Sequence, residues 1–123
     1  GDVDGDGDLD LAVGNYSNQA NRIYLNDGAG TFTDSGQTLG NGASFTIALG
    51  DVDGDGDLDL AVGNGSGGAN LIYLNDGAGA FTDSGQTLGS DYSLSTALGD
   101  VDGDGDLDLA VGNFGQANRI YQN

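Results

Sequence analysis

Histidine, cysteine, methionine, lysine, glutamate, tryptophan and proline are all missing from this 123-residue chain. Without cysteine there is neither a disulfide nor thiol chemistry, and without cysteine, methionine and histidine there is no soft-metal site. A Ser-His-Asp or Cys-His arrangement cannot be assembled, which excludes the familiar nucleophilic hydrolases. Cations are almost absent as well. Arg22 and Arg119 stand against 20 acids, all of them Asp, for a formal charge of −18. Such a charge repels phosphate backbones and anionic lipid, so neither nucleic-acid partners nor membrane insertion are expected. It also opposes compaction unless cations are bound. No apolar run approaches the roughly 20 residues that a membrane helix requires. The chain carries no signal peptide, does not open on Met and starts inside a repeat. The expectation is therefore a processed or truncated piece of something longer, or an idealised design.

What is present is repetition. Residues 2–11 read Asp-Val-Asp-Gly-Asp-Gly-Asp-Leu-Asp-Leu, and the same ten residues return at 51–60 and at 100–109. The step is 49 residues both times, and the three copies hold 15 of the 20 acids. Residues 1–49 and 50–98 share 38 identical positions of 49, which implies recent duplication or deliberate design. The third repeat keeps the pattern through Tyr121, with one residue fewer in the loop at 114–117, as an exposed connection allows.

Twenty-five glycines and an acidic composition suit a disordered polymer, but the apolar pattern opposes that reading. After each Asp stretch comes Leu9-Asp10-Leu11-Ala12-Val13-Gly14 or its copy, with Leu9, Leu11 and Val13 on one face. A period of two predicts a half-buried strand. A polar loop over 15–20 follows, then Arg22-Ile23-Tyr24-Leu25 as a second strand. Asn26-Asp27-Gly28-Ala29-Gly30 reads as a tight hairpin turn, because Asp-Gly tolerates positive φ. Thr31-Phe32-Thr33 starts a third strand that ends near Gly40, and Ser44-Phe45-Thr46-Ile47-Ala48-Leu49 runs as a fourth into the next Asp stretch. Four short strands per repeat of about 50 residues, with no helical period, predict an all-β fold of tandem four-stranded blades of β-propeller type.

The Asp stretch has the donor set of a hard cation. Calcium takes six to eight oxygens at flexible geometry. Asp2, Asp4, Asp6 and Asp10 occupy loop positions 1, 3, 5 and 9, so alternate side chains converge, and Gly7 at position 6 supplies a sharp turn. Asp8, at position 7, would offer its backbone carbonyl and leave its carboxylate free. The same roles fall to Asp51, Asp53, Asp55, Asp57 and Asp59, and to Asp100, Asp102, Asp104, Asp106 and Asp108. One Ca2+ per loop, three in all, would bring the formal charge from −18 to −12. Mg2+ fits less well, since it demands small, near-octahedral coordination and keeps its waters. An EF-hand is excluded on two counts. Position 12 is Val13, Val62 or Val111 in place of a bidentate Glu, and the flanks alternate as strands. The competing reading is a solvated, disordered acidic run.

The stretch Leu49-Gly50-Asp51-Val52-Asp53-Gly54-Asp55-Gly56-Asp57-Leu58-Asp59-Leu60-Ala61-Val62-Gly63-Asn64 resembles the FG-GAP repeat, in its bacterial VCBS variety, which also builds the propellers of integrin α-subunits. The name-giving Gly-Ala-Pro stands here as Gly63-Asn64. The resemblance places a blade's first strand before the Asp loop and its second after it. By that phasing residues 1–40 hold strands two to four of a blade, 41–89 a whole blade and 90–123 strands one to three. About 2.5 repeats cannot close a propeller, which in this family commonly has about seven blades. Either missing sequence or other chains complete the ring; an open arc favours self-association into a ring or a filament.

The resemblance implies a calcium-stabilised module at the cell surface or outside the cell, where calcium is plentiful. Two roles are open. One is structural, with near-identical blades assembling between chains as a homo-oligomer or fibre. The other is adhesion, with recognition of an extracellular protein or glycan as part of a larger protein. Catalysis is not expected, because the paired carboxylates that a glycosidase would use are already committed to the loops. Tyr24, Tyr73, Tyr121, Phe32 and Phe81 are read as packing between blades, with a sugar-stacking platform as the alternative. Arg22 and Arg119 are each read as forming a surface ion pair with a free Asp, of little energetic weight. Tyr16 and Phe114, in the variable loop, are the best candidates for touching a partner. Asn15-Tyr16-Ser17 and Asn64-Gly65-Ser66 match the N-glycosylation pattern.

Overall fold

A computed structural model describes residues 1–17 and 19–123. Asn18, in the predicted 15–20 loop, lies outside the described residues. The strands are β1 (Leu11–Val13), β2 (Arg22–Asn26), β3 (Phe32–Asp34), β4 (Ser44–Gly50) and β5 (Asp59–Asn64). They continue as β6 (Asn70–Asn75), β7 (Phe81–Leu88), β8 (Ser93–Gly99), β9 (Asp108–Asn113) and β10 (Arg119–Tyr121). No helix occurs among the described residues. All pairings are antiparallel between consecutive strands, and they form three sheets: β1-β2-β3, β4-β5-β6-β7 and β8-β9-β10. The fold is all-β, and its meandering sheets of three and four strands do not close on one another, in keeping with partial propeller blades.

The register follows from the repeat. Ile47, Ala48 and Leu49 pair with Val62, Ala61 and Leu60, while Thr96, Ala97 and Leu98 pair with Val111, Ala110 and Leu109. A bulge between Ser44 and Thr46 recurs between Ser93 and Ser95. The hairpin turn is as the Asp-Gly signal predicts. Gly28 and Gly77 have φ of 72° and 76°, and Asp27 and Asp76 accept bonds from the N–H groups two and four residues on.

The half-buried strand is corrected for β5. Leu60 and Val62 are 1% exposed and Ala61, on the opposite face, is 0% exposed. The reason is that the middle sheet lies between the other two. Leu60, Val62 and Tyr73 pack with Val3, Ile23 and Leu39 of the first repeat. Ala61 and Ile72 pack with Leu109 and Val111 of the third. Alternation therefore separates two buried seams, where a single sheet would separate core from water. The first repeat is corrected in the other direction. Leu9 precedes β1 and is 69% exposed, and Leu11 is 46% exposed, because no sheet covers that face. Phe81 is buried in the first seam, whereas Phe32 is 48% exposed and does not pack between sheets.

Polar contacts stitch the seams. Gln37 donates from Nε2 to the Gly79 carbonyl at 2.6 Å and accepts from the Phe81 N–H at 2.8 Å. Thr46 and Thr96 hydroxyls meet at 3.0 Å between the middle and third sheets. In the second seam a cleft of about 660 Å³ opens among Leu74, Leu88, Leu98 and Leu107, alongside the unpaired edge of β10.

Candidate metal centres

Two of the Asp loops link the end of one strand to the start of the next, residues 51–58 joining β4 to β5 and 100–107 joining β8 to β9, and the first leads into β1. The loop is wound by its own carboxylates. Asp2 accepts from the Gly5 N–H at 2.8 Å and the Gly7 N–H at 3.0 Å, one bond to each oxygen. Asp51 and Asp100 repeat this with Gly54 and Gly56, and with Gly103 and Gly105. The turn needs glycine twice, since Gly5 and Gly7 have φ of 75° and 97°; only Gly7 was singled out by its position. Asp4 and Asp6 each accept from the N–H two residues on, at 3.3 and 2.8 Å. Asp53, Asp55, Asp102 and Asp104 do likewise.

The position-9 acid has a second task that its spacing did not reveal. Asp59 is 0% exposed. One of its oxygens accepts from the Val52 N–H at 2.9 Å, the other from the Asn75 N–H at 2.9 Å. It thereby clasps the start of its loop to the end of β6. Asp10 does the same with Val3 and Asn26, and Asp108 with Val101 and Asn123. These two N–H bonds hold the Asp108 carboxyl below the usual value of 3.8.

Carboxylate oxygens converge in all three loops. One oxygen from each of Asp2, Asp4 and Asp6 lies within 4.8 Å of the other two, as does one from each of Asp51, Asp53 and Asp59, and one from each of Asp100, Asp102 and Asp108. Together the groups draw on positions 1, 3, 5 and 9. Asp4, Asp53 and Asp102 are all raised above 3.8, first by loss of water contact and then by repulsion from neighbouring loop carboxylates. A position where negative charge is crowded, and where every available donor is a hard oxygen, fits a hard divalent cation. Each cluster could hold a metal ion.

Position 7 is different. Asp8, Asp57 and Asp106 stand outside these groups. The Asp8 and Asp57 carboxylates lie against Gly28 and Gly77 of the neighbouring hairpin turns, where a Cβ would collide with them. Asp57 is raised by loss of water contact and by Asp55, Asp51, Asp59 and Asp76.

Several residues escaped the sequence reading. Asn75 donates from Nδ2 to the Leu58 carbonyl at 3.2 Å and across the seam to the Val3 carbonyl at 2.8 Å. Asn123 donates in the same way to the Val52 carbonyl. Repetition of Asn at 26, 75 and 123 was the available signal. Tyr16 and Phe114 belong to a row of four aromatics whose other members, Phe45 and Tyr92, were not singled out. Successive ring centroids are 5.1, 5.0 and 6.1 Å apart. The row crosses all three repeats at the strand ends remote from the Asp loops.

The glycosylation pattern meets an obstacle. Asn64 ends β5, is 3% exposed and spends its amide on the Ala69 carbonyl, so it does not lie in an exposed loop. The Asn15 amide is likewise bonded to the Ala20 carbonyl. Of the two arginines, Arg119 meets Asp91 at 2.8 Å, and Arg22 stands 3.9 Å from Asp34.

Antiparallel blade-like sheets stacked through apolar seams, with an acidic loop leading into β1, β5 and β9, define a repeat module of β-propeller type. The model of the FG-GAP-like repeat matches residues 2–62 and again 51–111, and the chain belongs to that family. A search of curated proteins finds no match to it.

Proposed function

We propose that this chain is a calcium-stabilised extracellular β-propeller repeat module whose role is structural and self-assembling. The observation that carries the reading is the convergence of three carboxylates in each of three loops of one sequence, at positions 1, 3 and 5 in the first and at positions 1, 3 and 9 in the other two. Asp2, Asp4, Asp6 and Asp10, with their copies in the other two loops, would hold Ca2+, and the position-7 residues Asp8, Asp57 and Asp106 would add a backbone carbonyl. The ion supplies two positive charges against crowded carboxylates, which otherwise repel one another and open the loop. An extracellular setting is supported by family membership and by the calcium concentration such sites require. The role is non-catalytic: the acids are consumed in winding and clasping the loops.

Calorimetric titration of the metal-free chain with calcium tests this, with three ions per chain expected and magnesium a weak competitor. Absence of binding heat, or equal affinity for magnesium, overturns it.

The second reading, an adhesion module for protein or glycan, is favoured by the aromatic row. Tyr16 and Phe114 are 60% and 68% exposed, and flat apolar rings with polar neighbours suit a sugar face or an apolar side chain. Glycan and matrix-protein arrays probed with the chain and with a Tyr16→Ser/Phe114→Ser double variant separate the two. Binding that the double variant loses favours adhesion; no binding leaves the structural role.

A further inference from the structure

The two outer faces of the stack are complementary because they repeat the two sides of a seam that the molecule already contains. In the first seam, Leu58, Leu60, Val62 and Tyr73 of the middle sheet receive Val3, Ala12 and Ile23 of the first repeat. The open face of the first sheet displays the counterparts of the receiving set, namely Leu9, Leu11, Val13 and Tyr24. The open face of the third sheet displays the counterparts of the inserting set, Val101, Ala110 and Ile120. Val101 is 53% and Ile120 60% exposed, whereas Val3 is 2% and Ile23 0% exposed in the covered seam.

Two finer features agree. A Cβ on Gly1 would meet Leu58, and one on Gly50 would meet Leu98 and Leu107, so each of these glycines is a floor for a leucine of the next repeat. Gly99, their counterpart, faces open space, and Leu9, the counterpart of Leu58 and Leu107, is exposed. The seam amides follow the same rule. The Asn75 side-chain amide reaches the Val3 carbonyl and that of Asn123 the Val52 carbonyl, while among the described residues that of Asn26 is bonded only to the Leu9 carbonyl of its own loop. The amide of Asn26 thus has a hydrogen to offer, and the Val101 carbonyl is its matching acceptor.

We infer that the β1–β2 face of one copy docks head-to-tail on the β9–β10 face of a second copy, reproducing the internal seam with Leu9 over Gly99 and Asn26 bonded to Val101. This deepens the self-assembling role proposed above and rests on it. The interface is heterologous, so it propagates into a closed ring or a filament and does not stop at a symmetric dimer.

Analytical ultracentrifugation of the 123-residue chain in calcium over a wide concentration range provides the test. The wild type is expected to grow beyond the monomer mass with concentration. Leu11→Arg blocks one face and Ile120→Asp the other, both at exposed positions; Leu9→Ser and Ala110→Arg replace either that fails to fold by circular dichroism. Each variant alone should associate at least tenfold more weakly than the wild type. An equimolar mixture of the two should form a heterodimer and nothing larger, because one intact face of each kind remains. A wild type that assembles while either single variant still dimerises alone overturns the head-to-tail seam but leaves self-assembly standing. A wild type that stays monomeric at every concentration overturns both.

Discussion

Asp53 and Asp57 are four residues apart in one loop and carry the same functional group, yet their surroundings give them different work. Asp53 belongs to the converging cluster with Asp51 and Asp59, while Asp57 lies against Gly77 of the hairpin turn. Asp53→Asn should weaken calcium binding at its loop at least tenfold by titration calorimetry. Asp57→Asn should change it far less, since only a backbone carbonyl is asked of that position. Asp59 differs again, as both its oxygens are buried and bonded to N–H groups of Val52 and Asn75. Asp59→Ala leaves both donors without partners and should cost about 3 kcal/mol, read from the urea midpoint with calcium absent. A loss under ~1 kcal/mol would show that water replaces the clasp. Spacing set the position-7 acids apart but grouped the position-9 acid with those at positions 1, 3 and 5; only the packing of β6 against the loop marks Asp59 as a clasp.

At the scale of the element, the position-3 acids of the calcium-free loops and the acids of the hairpin turns respond to pH in opposite directions. Asp4, Asp53 and Asp102 have folded-state pKa values raised above 3.8, so the folded chain binds protons more tightly than the unfolded one there. Their contribution to stability grows as pH falls from neutral towards the unfolded value. Asp27 and Asp76 are lowered by N–H bonds from Thr31 and Ala29, and from Ala78 and Ala80. Their contribution is present above 3.8 and is lost as pH drops through the lower folded value. The metal-free melting temperature should therefore rise as pH approaches about 4 and fall below it. In calcium the profile should fall throughout, because protons compete for the ligands. Melting by circular dichroism from pH 7 to 3 checks both curves, and a rising curve in calcium contradicts the loop assignment. The strands themselves were largely readable, since alternation and the Asp-Gly turns mark each one. Their burial was not, because alternation shows two faces and does not say that both are covered. Leu60 and Leu11 make the contrast measurable. Leu60→Ala should cost about 3 kcal/mol and Leu11→Ala less than ~1 kcal/mol by urea unfolding.

Across the whole molecule, stability is divided between neighbours, as in other repeat proteins. Each sheet buries apolar surface only against the next, and each seam is pinned by an Asn amide and, in the first seam, by Gln37. The 49-residue period made the number and order of the sheets visible in the sequence. The seam partners were hidden, because Asn75 bonds to a carbonyl 72 residues away and nothing local marks it. The Asp loops sit beside these seams: Val3 and Val52 both lie in a loop and lend their carbonyls to the next sheet. Loop order and blade stacking are thus one cooperative problem, and under the proposed calcium role an ion in the loops would act on the whole fold. The melting temperature of the chain, measured in excess calcium and again in excess chelator, tests this most directly. The account predicts a large drop on chelation, and a melting temperature that climbs with the logarithm of calcium concentration. Identical curves with and without calcium would contradict it.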